Sequence, residues 1–196
     1  MSYCTAANVK SYAGISSTTD DVLIADLISR AQKIIETYTN RVFEAASDTT
    51  RYFGMSSVWG RDLLFDQDLC AITTVKTNAD NASPSTIPST DYVTLPRNFT
   101  PYYGIRLLSS SSYDWEYTSN PEGAIQIVGR FAYSTTAPDD IVQAAVRLST
   151  FLYRQKDSQV FDTTALPDSG VIMIPQGIPA DVKVILDPYR KRVAMA

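Results

Sequence analysis

Histidine does not occur anywhere in the 196 residues of this chain. Its absence removes imidazole acid–base catalysis, Ser-His-Asp and Cys-His nucleophile systems, and every metal site that needs an imidazole ligand. Cysteine is almost missing too: Cys4 and Cys70 lie far apart in the chain and form no Cys-x-x-Cys pair. A disulfide between them stays open, but two idle thiols in a reducing compartment fit the spacing better. No apolar run reaches the ~18 residues that a membrane-spanning helix requires. The opening MSYCTAANVKSY lacks the basic and apolar regions of a signal peptide, so the chain is expected to stay where it is made. A cationic excess is lacking as well. The formal net charge of -4 argues against a sequence-specific nucleic-acid reader, which presents a basic face. Phosphate-cradling glycine loops, a Gly-x-Ser-x-Gly elbow and kinase signatures are all missing.

What is present is an ordinary globular composition, 44% apolar and 19% charged, enough for a sizeable core in one medium domain. Thr5 to Tyr12 reads as a short helix with Thr5 as its N-cap and Gly14 as a left-handed stop. The stretch STTDDVLIADLISRAQKIIETYTN gives a long helix over about 19–39. Thr18 and Asp21 form a capping-box pattern, and Asp20 and Asp21 suit the positive end of the helix dipole. Leu23, Leu27, Ala31 and Tyr38 recur at spacings of three and four, and Asn40 is a credible stop. A second long helix spans about 138–156, with Asp139 and Asp140 in its first turn and Arg154 and Lys156 near its end. Ile141, Ala144, Ala145, Leu148, Phe151 and Leu152 form its apolar seam. A last helix begins near Pro179, is interrupted near Pro188, and ends in the basic cluster Arg190, Lys191 and Arg192.

From about 49 to 134 the helical period gives way to short apolar runs such as TTRYFG, AITTVKT and GAIQIVGRFAYS. Alternation with β-branched and aromatic residues predicts strands. The Ser/Pro-rich stretches NADNASPSTIPST and SSSSYDWEYTSNPEG read as polar loops. The expected fold is therefore α+β: a small, mainly helical bundle with an antiparallel β unit inserted at about 49–134. One domain over 1–196 would carry this β-rich subdomain, with 157–196 as an extended loop and C-terminal arm.

Paired acids are the first residues to test for chemistry. Asp20-Asp21 and Asp139-Asp140 both fall at helix starts, where acids stabilise by a few tenths to ~1 kcal/mol without a catalytic role. Asp66 and Asp68 in FDQDLCAI lack the rest of a calcium loop and suit a turn between strands. Tyr113, Trp115 and Tyr117 alternate, either as a sticky face for sugar or protein or as a strand packed on the β core. No catalytic, cofactor-binding or metal residue can be assigned, so neither an enzyme nor a cofactor is expected. The apolar faces of the two long helices look wider than one small subunit can bury, which predicts association.

Four stretches carry a family resemblance. They are VKSYAGI with TTDDVLIADLISRAQKIIETYTNRVF, RYFG…RDLLFDQDLCAITTVK, GAIQIVGRFAYSTTAPDDIVQAAVRLSTFLYRQKD and IPADVKVILDPYRK. In this order they resemble the head-to-tail connector (adaptor, head-completion) proteins of long-tailed bacteriophages. The resemblance implies a structural virion protein, made in the bacterial host cytoplasm, that sits at the head–tail junction. It implies a homo-oligomeric ring, typically a dodecamer, between the portal and the next connector or tail protein. That ring would extend a channel through which double-stranded DNA passes without sequence recognition, and no membrane would be involved. Carried onto this chain, Leu23, Leu27, Ile28, Ile141, Leu148, Phe151, Tyr189, Arg190, Lys191 and Arg192 become subunit- or portal-interface residues. The acidic loop with Asp157, Asp162 and Asp168 becomes the channel side, because cations facing the duplex would grip it. A carbohydrate- or receptor-binding virion module using the aromatic β insert is the alternative.

Overall fold

The computed structural model describes residues 2–158, 163–166, 170–173 and 177–191. Thr5 opens the first helix, α1 (Ala6–Ala13), with a capping box: its hydroxyl accepts the Asn8 N–H at 3.2 Å, and the Asn8 side chain accepts the Thr5 N–H at 2.9 Å. Two donors that a helix start leaves open are thereby satisfied. Gly14 ends α1 at φ 72°, a left-handed conformation suited to glycine. The second helix, α2 (Asp21–Thr39), ends as its sequence predicts, with Asn40 at φ 53°. Its start differs from expectation. Asp20 is the N-cap and makes no side-chain capping bond, so the Thr18–Asp21 box does not form.

Val42–Thr136 folds as a compact unit of its own. It contains β1 (Thr49–Phe53), β2 (Val58–Trp59), β3 (Asp62–Leu69), β4 (Ala71–Thr77), β5 (Ser85–Ile87), β6 (Tyr92–Leu95), β7 (Tyr102–Leu107) and β8 (Ile125–Arg130). They pair antiparallel into two four-stranded sheets, β1-β8-β4-β5 and β2-β3-β7-β6. Cys70 alone separates β3 from β4, so one extended stretch passes the chain from one sheet to the other. Leu63, Ile105 and Leu107 of one sheet share a core with Phe53, Val75, Ile87, Ile125 and Ile127 of the other. The alternation of buried and exposed residues along β8 is the period-2 signature that made these strands legible. At the mouth of the unit the Tyr133 N–H donates to the Val42 carbonyl at 2.8 Å, and the Phe43 and Tyr133 rings lie 5.7 Å apart.

The rest of the chain forms the second unit, Ser2–Arg41 together with the segment after Thr136. Here α3 (Asp139–Ser158) is followed by the antiparallel hairpin β9 (Thr163–Leu166) and β10 (Gly170–Met173), then by α4 (Ala180–Leu186). A single 3-10 turn, Asp187–Tyr189, continues α4 where Pro188 removes a helical donor. α3 is the central helix and packs against α1, α2 and α4. Ala144 and Ala145 are fully buried on it, and small side chains there let neighbouring helices approach. The chain is thus mixed α+β, and the expectation of a mainly helical bundle is corrected. The short runs between 49 and 134 supply two four-stranded sheets, enough strands to close a core of their own.

Candidate functional site

The residues singled out from sequence separate by burial. Leu27, Ile28, Ile141 and Leu148 are all under 9% exposed, lodged among the helices of their own unit. In the single subunit they therefore serve the core, and little of their surface is left to meet a neighbour. Leu23 and Phe151 are half-buried, while Val22 beside Leu23 is 79% exposed. The wide apolar faces are consumed within the unit because α3 has three helical neighbours. Asp157 lies in the last turn of α3; Asp162, Asp168 and Arg192 fall outside the described residues.

The acid pairs at helix starts are tied down structurally. Asp20 accepts the Tyr153 hydroxyl at 2.6 Å and the Lys156 ammonium at 3.0 Å. Those two bonds, the tyrosine's first, hold its carboxyl below the usual aspartate range. A carboxylate used by the end of α3 is not available to cap α2. Asp21 pairs with Lys10 at 2.7 Å, and Asp140 accepts the Tyr189 hydroxyl at 3.2 Å. Asp66 and Asp68 sit within β3 rather than in a turn. Among the described residues no group of three His, Cys, Asp or Glu could hold a metal ion, and no helix is long and apolar enough to cross a membrane. Cys4 and Cys70 are free and buried, one in each unit, and burial raises both thiol pKa values.

The basic C-terminal cluster closes the end of α2. The Lys191 N–H donates to the Thr39 carbonyl at 2.8 Å, and the Arg41 guanidinium donates to the Tyr189 carbonyl at 2.7 Å. Arg190 stacks over the Tyr38 ring at 5.0 Å, while the Tyr38 hydroxyl donates to Asp187 at 2.6 Å, raising the tyrosine pKa. Tyr189, Arg190 and Lys191 therefore come together at one helix terminus, where orphan carbonyls and the dipole favour donors and cations.

Sequence reasoning missed the fastening of the two Ser/Pro-rich loops. The Asp80 carboxylate accepts the backbone N–H groups of Asn120 at 2.8 Å, Ser119 at 2.6 Å and Thr118 at 3.0 Å. These bonds, Asn120's and Ser119's foremost, bring its pKa from 3.8 down to about 2. Asn78 adopts φ 55° and its N–H donates to the Glu116 carbonyl, and the Ser111 hydroxyl donates to Asp91. The first stretch also supplies β5 and the buried Ile87, so it is not all polar loop, and these hydrogen bonds fasten its start to the second stretch. Because the folded-state pKa lies below the unfolded value, Asp80 stabilises the fold fully above pH ~4, and that share is lost as pH falls towards 2. Asp80→Asn is expected to lower the urea midpoint near neutral pH. The gap to the wild type should narrow through the pH 4 to 2 window, as followed by denaturation at each pH.

The aromatic run divides in the same way. Trp115 is 7% exposed, its indole N–H donating to the Arg61 carbonyl at 3.1 Å. The backbone around it is irregular, so the alternation of Tyr113, Trp115 and Tyr117 is not that of a strand. Tyr113 packs against the core and Tyr117 is exposed. More accessible rings lie outside this run, among them Trp59 at 75% and Phe99 at 67%.

Together these features define an α+β subunit in which a helical unit accompanies a two-sheet β unit. A family model described as head completion protein matches residues 3–192, and the chain belongs to that family. No curated protein matches the sequence. Solved structures share the fold at low identity. One is a chain in the neck of an empty GTA particle computed with C6 symmetry, with TM-score 0.59 and 13% identity over 97% of this chain and 90% of that one. Another, in the neck of a native GTA particle computed with C12 symmetry, has TM-score 0.57 and 14% identity over 96% and 89%. A third comes from the virion of a native gene transfer agent particle, with TM-score 0.57 and 14% identity over 97% and 90%.

Proposed function

We propose that this protein is a structural head–tail connector of a virion, a ring subunit that completes the head and carries the DNA channel towards the tail. The observation that carries the reading is the family match, which spans nearly the whole chain. The neck chains of the same fold belong to particles computed with C6 and C12 symmetry, which supports a ring. Identical subunits close a ring through heterologous contacts, each giving one patch to the next copy's different patch. With Leu27, Ile28, Ile141 and Leu148 inside the subunit, Leu23 and Phe151 remain for such contacts. The cluster Tyr189, Arg190 and Lys191 is the surface offered to the portal protein, and the opposite side of the ring would meet the next connector or tail protein. Electron microscopy of particles made with and without the protein tests the role. Filled heads that leak DNA and lack tails in its absence are expected; normal tailed particles would overturn it.

The segment from Asp157 to Gly177 has three aspartates and no lysine or arginine. We place it on the channel side, since each cation facing the duplex would add salt-dependent grip. Three or four lysines substituted there should slow DNA ejection in a single-particle ejection assay, most at low salt. An unchanged rate at every salt concentration would remove the loop from the channel.

A further inference from the structure

The outward face of the β2-β3-β7-β6 sheet leaves apolar side chains uncovered, Trp59 and Leu64 among them. The strand register sets out its composition. Trp59 stands opposite Asp62, Asp62 opposite Arg106, and Arg106 opposite Val93, so these four form one row across all four strands. The next row on the same face is Leu64, Gly104 and Leu95. The intervening row, Val58, Leu63, Ile105 and Thr94, points the other way, and its Leu63 and Ile105 are completely buried. On the outward face Trp59 is 75% and Leu64 39% exposed, and Val93 and Leu95 are half-buried. The charges in the first row neutralise each other: Arg106 grips Asp62 with two bonds of 2.5 and 2.6 Å. An exposed tryptophan and aliphatic side chains around an internally satisfied Arg–carboxylate pair have the composition of a protein-binding hot spot. Phosphate would find no free cation in that row, so nucleic acid does not suit the face.

We infer that this sheet face docks the helical unit of an adjacent copy of the same chain, an interface that rests on the ring reading given above. Charge selects the occupant. Val42–Thr136 holds ten acids against six lysines and arginines, whereas the remainder of the chain is balanced at eleven of each. Outside the acidic stretch 157–177 that remainder has eleven bases against eight acids. Two β units face to face would repel; a neighbour's balanced helical unit would not, and it would attract where 157–177 is turned to the channel as proposed above. Such a contact is heterologous, the type that closes rings rather than making isolated two-fold dimers. The outer face of α2 offers exposed Val22, Asp26, Arg30 and Lys33 beside half-buried Leu23, with Lys33 paired to Glu36 at 3.8 Å.

The test replaces Trp59 by the photo-reactive p-benzoyl-phenylalanine in the full chain, assembles particles, irradiates them and maps the adducts by mass spectrometry. A cross-link between two copies of this chain that ends on α2 or another part of the helical unit is expected. An adduct to a different particle protein, a β-unit-to-β-unit adduct, or no adduct from chains present in the particle would overturn the interface while leaving the connector role intact. Absence of the chain from particles would overturn both. Trp59→Glu provides the second arm: thermal unfolding of the isolated subunit should be unchanged, because Trp59 is outside the core, while incorporation into particles falls at least tenfold. Full incorporation of a normally folded Trp59→Glu chain would also sink the inference.

Discussion

Gly129→Ala is expected to destabilise the β unit by about 3 kcal/mol, the upper end of what overpacking costs in a core. A Cβ built on Gly129 meets the Ala71 carbonyl oxygen at 2.3 Å and a Leu69 methyl at 3.2 Å. The oxygen is backbone in a paired strand, so no rotamer change relieves the clash. Ala71 and Ile72 lie opposite Arg130 and Gly129 next to a register shift in β4, and that irregularity brings the two backbones together. Gly123→Ala is the control: nothing lies within 4 Å of its added Cβ, and a change within about 0.5 kcal/mol is expected. Urea unfolding of both variants, followed by Trp59 and Trp115 fluorescence, measures the difference. Equal midpoints would mean that β4 and β8 do not approach as closely as described.

Leu148→Ala should remove roughly 2–5 kcal/mol from the isolated subunit, as truncation of a fully enclosed leucine does. Leu148 is 1% exposed on the central helix, level with Ala144, Ala145 and Ile141. The expectation separates two roles that the sequence alone does not distinguish. If Leu148 belongs to the subunit core, the loss is seen at protein concentrations low enough for a monomer and does not depend on concentration. An interface leucine would leave the monomer's unfolding unchanged and weaken only assembly. Leu23→Ala, at a half-buried position, provides the contrast, with a smaller effect on the isolated chain.

These two residues also mark where reading the sequence works and where it stops. The helices were legible because apolar residues at spacings of three and four, the left-handed Asn40 stop of α2 and the Gly14 stop of α1 are local features. Strands between 49 and 134 were legible by alternation, as in β8. The breadth of the apolar stripe on α3 was equally visible, but not that α1, α2 and α4 would surround it. Periodicity gives the width of a face and does not name the neighbour, so it does not separate a core leucine such as Leu148 from one at an interface. The Asp80 clamp left no trace in the sequence, since its partners are backbone N–H groups some 40 residues away and every residue but proline carries one. Trp115 misled for a related reason: alternation of rings imitates a strand, while a carbonyl of Arg61 decides where the indole goes.

By itself the sequence determined the helices, their ends, most strand segments and the exclusion of histidine chemistry, because each depends on a few consecutive residues and their backbone preferences. Only the tertiary structure decided which apolar faces lie inside the subunit, how the two sheets share one core, and that Trp59, Leu64, Val93 and Leu95 stand together on an outer face. The reason is physical: register and helix neighbours are set by contacts between residues distant in the chain, and burial is a property of the packed whole.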